Sequence, residues 1–205
     1  MRPVSETLLT VLPLAVVMVA GPQFLSAVFL ATSHHWRRAS LAYLLGATVS
    51  ISLVVSAVYA TGIGIAGRTQ SRPLLEVVVV AILAAMGYVF WTRETADPPT
   101  WMSHLETATP RFAFRLGFLL LGFFPTDILT SAAVGSYLAA EGRPVTDALA
   151  FVAATLLLLA LPPLSVLVLG ERADRLLPAV RNWMTTNAWL VNEIVLLVFL
   201  VLALT

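Results

Sequence analysis

The residue in this chain most able to do chemistry is Asp127, which follows Phe123-Phe124-Pro125-Thr126 inside a long apolar run. If that run crosses a bilayer, an ionised carboxyl there costs at least about 2.5–3.5 kcal/mol on insertion scales, so it must face a cavity or a partner. Such a group can relay a proton or a cation. Alternatively it is a neutral acid that hydrogen-bonds another helix. Gln23, one residue after Pro22, is the polar residue nearest the corresponding place in the first half of the chain. An amide and a carboxyl at these positions could face each other. Thr126, Ser26 and Thr130 add hydroxyls, so Gln23, Asp127, Thr126, Ser26 and Thr130 are the candidate substrate- or ion-binding residues. Gly21, Pro22 and Pro125 are the expected helix breaks. Proline removes an i→i−4 hydrogen bond and displaces the carbonyl one turn earlier. In a membrane the freed carbonyl needs protein or water as a partner.

The other ionisable groups point to no reaction. Glu76 opens an apolar run, Asp147 after Thr146 reads as a helix N-cap, and Glu193 beside Asn192 lies about one turn inside the last run; all three read as structural. His34, His35 and Trp36 read as a loop cluster followed by Arg37-Arg38. Adjacent histidines do not share a helical face, and His104 and Glu106 stand alone, so no metal site is expected. A hydrolase would need a second catalytic group near Asp127. The expectation is therefore no enzyme, no cofactor and no nucleic-acid partner. The chain contains no cysteine, which removes disulfides and thiol chemistry.

Composition says what must hold these residues. Of the 205 residues, 59% are hydrophobic and 11% charged, with a mean hydropathy of +0.91. Soluble domains carry about 25% charged residues. So little charge cannot cover so much apolar sequence in water, whereas lipid solvates it and requires every backbone group to be paired internally. The apolar runs are long and continuous, which predicts helices rather than alternating barrel strands. All 12 basic residues are arginine, which weakly suggests a GC-rich genome.

Six spans are expected: about 6–31, interrupted at Gly21-Pro22; 40–66; 74–91; 114–138, interrupted at Pro125; 147–169; and 188–205. The first is too long for a signal-peptide core. Residues 1–205 form a single transmembrane domain: a three-helix repeat over 1–91, a cytoplasmic linker over 92–112, and a second three-helix repeat over 113–205. Gly62-Ile63-Gly64 marks a span end or close packing. The loops after the first, third and fifth spans carry eight arginines against four on the other side. The positive-inside rule then places the protein in the cell membrane with both termini outside. Trp36, Trp91, Trp101, Trp183 and Trp189 fall near span ends, as interface anchors do. Near 171–187 an interfacial helix is expected, with Leu176, Leu177, Val180, Trp183 and Met184 on one face and Arg172, Arg175 and Asn182 away from it.

Pro22 and Pro125 lie 103 positions apart (125 − 22), close to half the chain. Two tandem units of three spans must have opposite orientations. The fold class is thus an all-α integral membrane protein with a 3+3 inverted repeat and interrupted first and fourth helices, as in many secondary transporters.

Particular residues also carry a family resemblance. Leu161-Pro162-Pro163, then Glu171-Arg172-Ala173, Leu176-Leu177 and Arg181-Asn182-Trp183-Met184 before an apolar final span, resemble the C-terminal half of the mycobacterial glycopeptidolipid- and sulfolipid-addressing (GAP) proteins. Leu12-Pro13-Leu14-Ala15 and Tyr43-Leu44-Leu45-Gly46 fit the N-terminal half, so the resemblance covers nearly the whole chain. It implies kinship with the lysine-exporter superfamily, which has six spans with broken first and fourth helices and exports amino acids, metal ions or lipids. The cysteines of the thiol-conduit relatives are absent, and the Pro-Gly-Pro-like break of the amino-acid exporters is Ala20-Gly21-Pro22-Gln23 here. The resemblance implies a transporter or export factor moving, or helping deliver, a lipid, glycolipid or other small molecule outward. The alternatives are a non-transporting accessory protein of a lipid synthesis or export complex, and an amino-acid or cation exporter. Expected partners are membrane lipids, the substrate, and a second copy or an export-complex protein.

Overall fold

The computed structural model describes residues 14–19, 21–61, 87, 91, 108–187, 190 and 197. They form helices and connecting turns, with no strand among the described residues. Residues 14–19 are helical and are followed by α1 (Pro22–Ala31), α2 (Trp36–Thr61), α3 (Pro110–Phe123), α4 (Pro125–Ala140), α5 (Ala148–Leu169) and α6 (Ala173–Thr186). Short 3-10 turns, Val145–Asp147 and Gly170–Arg172, lead into α5 and α6.

Polarity is arranged as lipid requires. Leu41, Leu45, Leu53, Leu149, Leu157, Leu161, Leu167 and Val168 are exposed, while Ser26, Ser40, Ser50, Thr130, Ser131, Ser136 and Thr155 are buried. Water as solvent would select the reverse, whereas membrane helices pack on small and hydroxyl residues and turn their leucines to the acyl chains. The chain is a helical membrane protein. Trp36–Thr61 and Val145–Leu169 are long and apolar enough to cross a bilayer, and α3 with α4, bent by 65°, makes a third span if the pair is continuous. The expected third and sixth spans, with Gly62, Gly64, Glu76, Trp101, His104, Glu106, Trp189, Asn192 and Glu193, lie outside the described residues, apart from isolated helical positions such as Trp91.

Helix α2 is central and packs against α1, α3, α4 and α5. Its seam with α3 is made by glycines. A Cβ on Gly46 would strike the Phe114 carbonyl of α3, and one on Gly117 would strike the Tyr43 carbonyl of α2. The two backbones approach so closely that neither position has room for a side chain. Farther along, Gly122 lies against the Ser50 hydroxyl, which donates to the Phe118 carbonyl at 2.8 Å. Gly135 of α4 continues the line: its Cβ would lie 2.6 Å from the Val55 carbonyl. The far end of α2 is held by Tyr59, whose hydroxyl donates to the Arg143 carbonyl at 2.9 Å.

Three expectations need correction. Trp36, Arg37 and Arg38 are the first turn of α2 rather than loop. Arginines can occupy a span end because their stems lie along apolar surface while the guanidinium reaches the interface; Arg37 stacks over Trp36 at 5.2 Å. Asp147 sits at the N-cap of α5 but makes no side-chain cap bond. Its own backbone is already helical, at φ −66° and ψ −19°, where a capping residue stands extended, and its carboxylate accepts from Arg143 Nε at 2.9 Å. Finally, the apolar face expected near 171–187 divides in two. Ala173, Leu177 and Met184 are buried, whereas Leu176, Val180 and Trp183 are exposed on the adjoining arc. Ala173 and Leu177 dock against Val28 and Ala31 of α1. Gly170, at φ +51°, turns the chain from α5 into α6.

Candidate functional site

A residue with non-helical backbone precedes each of Pro22 and Pro125. At Gly21 the backbone takes φ +103° and ψ −141°, a region open to glycine and strained for other residues. A Cβ there would also come within 3.4 Å of Gln23 Oε1. Pro22 then opens α1 at a position where no intrahelical donor is needed. At the second break Phe124 is extended, with φ −70° and ψ 129°, and Pro125 opens α4. Neither N-terminus is closed by a capping side chain; α4 carries Asp127 in its first turn, where the helix dipole favours an acid, and α1 carries no acid there.

The two N-termini meet. Gln23 Nε2, in the first turn of α1, donates to Asp127 Oδ2, in the first turn of α4, at 2.6 Å. Both residues are 1% exposed. Asp127 has no basic partner among the described residues. Its side-chain donor is the Gln23 amide, and it stands in the first turn of α4, at the positive end of that helix. Among the described residues its other oxygen, Oδ1, receives a long 3.5 Å contact from Thr126 Oγ1.

The hydroxyls expected at the site repeat one motif on both sides. Ser26 Oγ donates to the Pro22 carbonyl at 2.6 Å, and Thr130 Oγ1 donates to the Thr126 carbonyl at 2.7 Å. Ser26 and Thr130 are separated by the same 104 positions as the bonded pair Gln23–Asp127, one more than the offset between the prolines. Each hydroxyl spends its proton on its own helix and keeps lone pairs to accept with. Gln23 Oε1 and Ser131 Oγ, one turn beyond Asp127, are buried without a hydrogen-bond partner among the described residues. The junction is thus rich in acceptors around a single carboxyl. Chemically it can hold a proton, a water or a donor-bearing group. Among the described residues no cluster of His, Cys, Asp and Glu could hold a metal ion.

Sequence reasoning missed Tyr43 as a neighbour of this site. Its phenol donates to the backbone carbonyl of Gln23 at 2.9 Å, and the residue is 1% exposed. A tyrosine in an apolar span whose hydroxyl needs a buried acceptor was the available signal. The identity of the acceptor, a main-chain oxygen, leaves no mark in sequence.

The family model of the sulfolipid-1-addressing proteins (Sap) matches residues 11–205. No curated protein and no solved structure matches the chain. The match takes in both helix breaks, the Gln23–Asp127 pair, the glycine seam and α6, and the chain belongs to the sulfolipid-1-addressing protein family.

Proposed function

We propose that this protein is a membrane export factor that moves, or helps deliver, a lipid or glycolipid outward, with the junction of α1 and α4 as its working site. The observation that carries the proposal is the buried Gln23–Asp127 hydrogen bond between two uncapped helix N-termini. Placing a carboxyl, several acceptors and two broken helices at one buried point is costly for a scaffold. It is the arrangement by which secondary transporters bind substrate or coupling ion near the midplane. Family membership supports lipid as the cargo. The common 104-residue offset of the bonded pair and of the two hydroxyls supports a 3+3 inverted repeat of lysine-exporter type. Six spans and external termini complete the proposed topology. In this scheme Asp127 alternates between protonated and ionised as the junction opens to either side.

One observation favours the accessory reading: the pair is sealed from solvent, each residue being 1% exposed. A transporter is closed this way between openings, whereas an accessory protein stays closed throughout. The test is movement of a sulfated glycolipid across proteoliposomes at several pH values, for wild type and Asp127→Asn. Asp127→Asn keeps the size of the side chain and removes its titration. The proposal expects it to insert and fold as wild type does, with transport reduced at least about tenfold, equivalent to about 1.4 kcal/mol in the barrier. Equal rates with an unchanged pH profile would reduce Asp127 to an interhelical hydrogen-bonding residue. A wild type that moves no lipid would favour the accessory role.

A further inference from the structure

Tyr43 stands at the meeting of two structures. Its backbone carbonyl lies where Gly117 closes the α2–α3 seam, and its ring edge also lies against Gly117, with Cδ2 3.1 Å from where a Cβ would be. The ring cannot shift toward α3. From this fixed base the phenol reaches across to α1 and donates to the Gln23 carbonyl at 2.9 Å. The acceptor belongs to the same residue whose side chain holds Asp127. A continuous chain of contacts therefore runs from the glycine seam through Tyr43 and Gln23 to the carboxyl.

A hydrogen bond to a helix carbonyl that already has an intrahelical donor is not needed to satisfy the backbone, because a carbonyl oxygen has two lone pairs. The hydroxyl's own need for an acceptor accounts for a bond, but not for its landing on the first turn after a break. Gly21 has no side chain to cap that turn, and the Ser26 hydroxyl of α1 bonds the Pro22 carbonyl, so the side-chain partners of Gln23 itself, Tyr43 and Asp127, come from outside α1. We propose that Tyr43 is a positioning residue for the Gln23–Asp127 pair: its phenol fixes the first turn of α1 against the rigid α2–α3 seam and so sets where the Gln23 amide points. This rests on the junction being the working site, and it adds that opening the junction requires the phenol to release the Gln23 carbonyl.

The test is Tyr43→Phe, which keeps the ring against Gly117 and removes only the O–H. Two readouts separate this inference from the transport reading. The first is the infrared carboxyl band of Asp127, isolated by subtracting the spectrum of Asp127→Asn; it needs no transport. The second is transport per folded molecule. The expected result is a wild-type yield of folded protein, a displaced Asp127 band and transport lowered about tenfold, the effect of one lost buried hydrogen bond. If wild type moves no lipid, the band still decides the inference while the export reading falls. An Asp127 band at the wild-type position in folded Tyr43→Phe would overturn the proposal and leave Tyr43 a packing residue. Should Tyr43→Phe fail to fold, 3-fluorotyrosine placed at position 43 keeps the bond and strengthens the donor. The proposal then expects a displaced Asp127 band, and an unmoved band overturns it.

Discussion

Two interfaces of α2 are built on opposite principles. Against α3 and α4 it meets glycines: backbone touches backbone at Gly46, Gly117 and Gly135, and Gly122 makes room for the Ser50 side chain. Against α1 it meets side chains, packing Tyr43 and Ala47 into one core with Leu25, Phe29 and Leu30. It also places the Tyr43 phenol on the Gln23 carbonyl, beside a carboxyl–amide pair and, among the described residues, an amide oxygen and a hydroxyl without hydrogen-bond partners. The first interface has no slack: dispersion contacts fall away steeply with distance, so it is held closed or lost altogether. The second adds to side-chain packing hydrogen bonds that can be exchanged for others at modest net cost. A molecule that must change shape without coming apart needs both; under the proposed function α2 with α3 is the frame and the junction of α1 with α4 is where the rearrangement takes place.

The contrast can be broken most severely at the frame. Gly46→Leu or Gly117→Leu drives a side chain into a main-chain carbonyl. The expected cost is at or above the ~3 kcal/mol upper end for overpacking, read as loss of folded, membrane-inserted protein. Leu177→Ala, at the contact of α6 with α1, should cost about 2–3 kcal/mol, the low end for a buried leucine, in a thermal unfolding assay in detergent. Gly21→Ala places a Cβ at φ +103° and ψ −141° and should cost about 1–3 kcal/mol; it should also weaken transport, because the strain falls on the turn that presents Gln23. Ser26→Ala and Thr130→Ala are the mildest. Each removes a hydroxyl bonded to a carbonyl of its own helix and should cost about 0.5–1 kcal/mol. The repeat further requires the two to affect transport alike. A large effect from one and none from the other would argue against equivalent half-sites.

How much of this was legible follows from which physics leaves a mark in sequence. Pro22 and Pro125 announce the breaks because proline lacks the donor a helix needs. Asp127 announces itself because charge is rare in apolar runs, and the spacing of the halves pointed from it to Gln23. The glycine seam was not read, because Gly46, Gly117, Gly122 and Gly135 look alike in sequence whether they face a neighbouring backbone or lipid. The start of α2 was placed four residues late, at Ser40 instead of Trp36, because arginines read as loop unless their stems lie along a span end. Asp147 fits the N-cap pattern, yet Arg143, four residues earlier, captures its carboxylate. The two apolar arcs of α6 have the same residue types; only the presence of Val28 and Ala31 opposite one of them separates buried from exposed.

The central claim is that one carboxyl and one amide, supplied by the two broken helices, form the working contact. Reversing the pair tests it most directly. Gln23→Glu alone sets two carboxyls against each other, and Asp127→Asn alone leaves two amides. Together they restore one carboxyl and one amide with the acid on α1. Transport by the four proteins, wild type, both single variants and the double, forms a double-mutant cycle. The account predicts that the double variant transports at least about tenfold better than the product of the two single effects, a coupling of about 1.4 kcal/mol within the range for residues in direct contact. A double variant no better than that product would mean that Gln23 and Asp127 act independently, and the junction would no longer be the site.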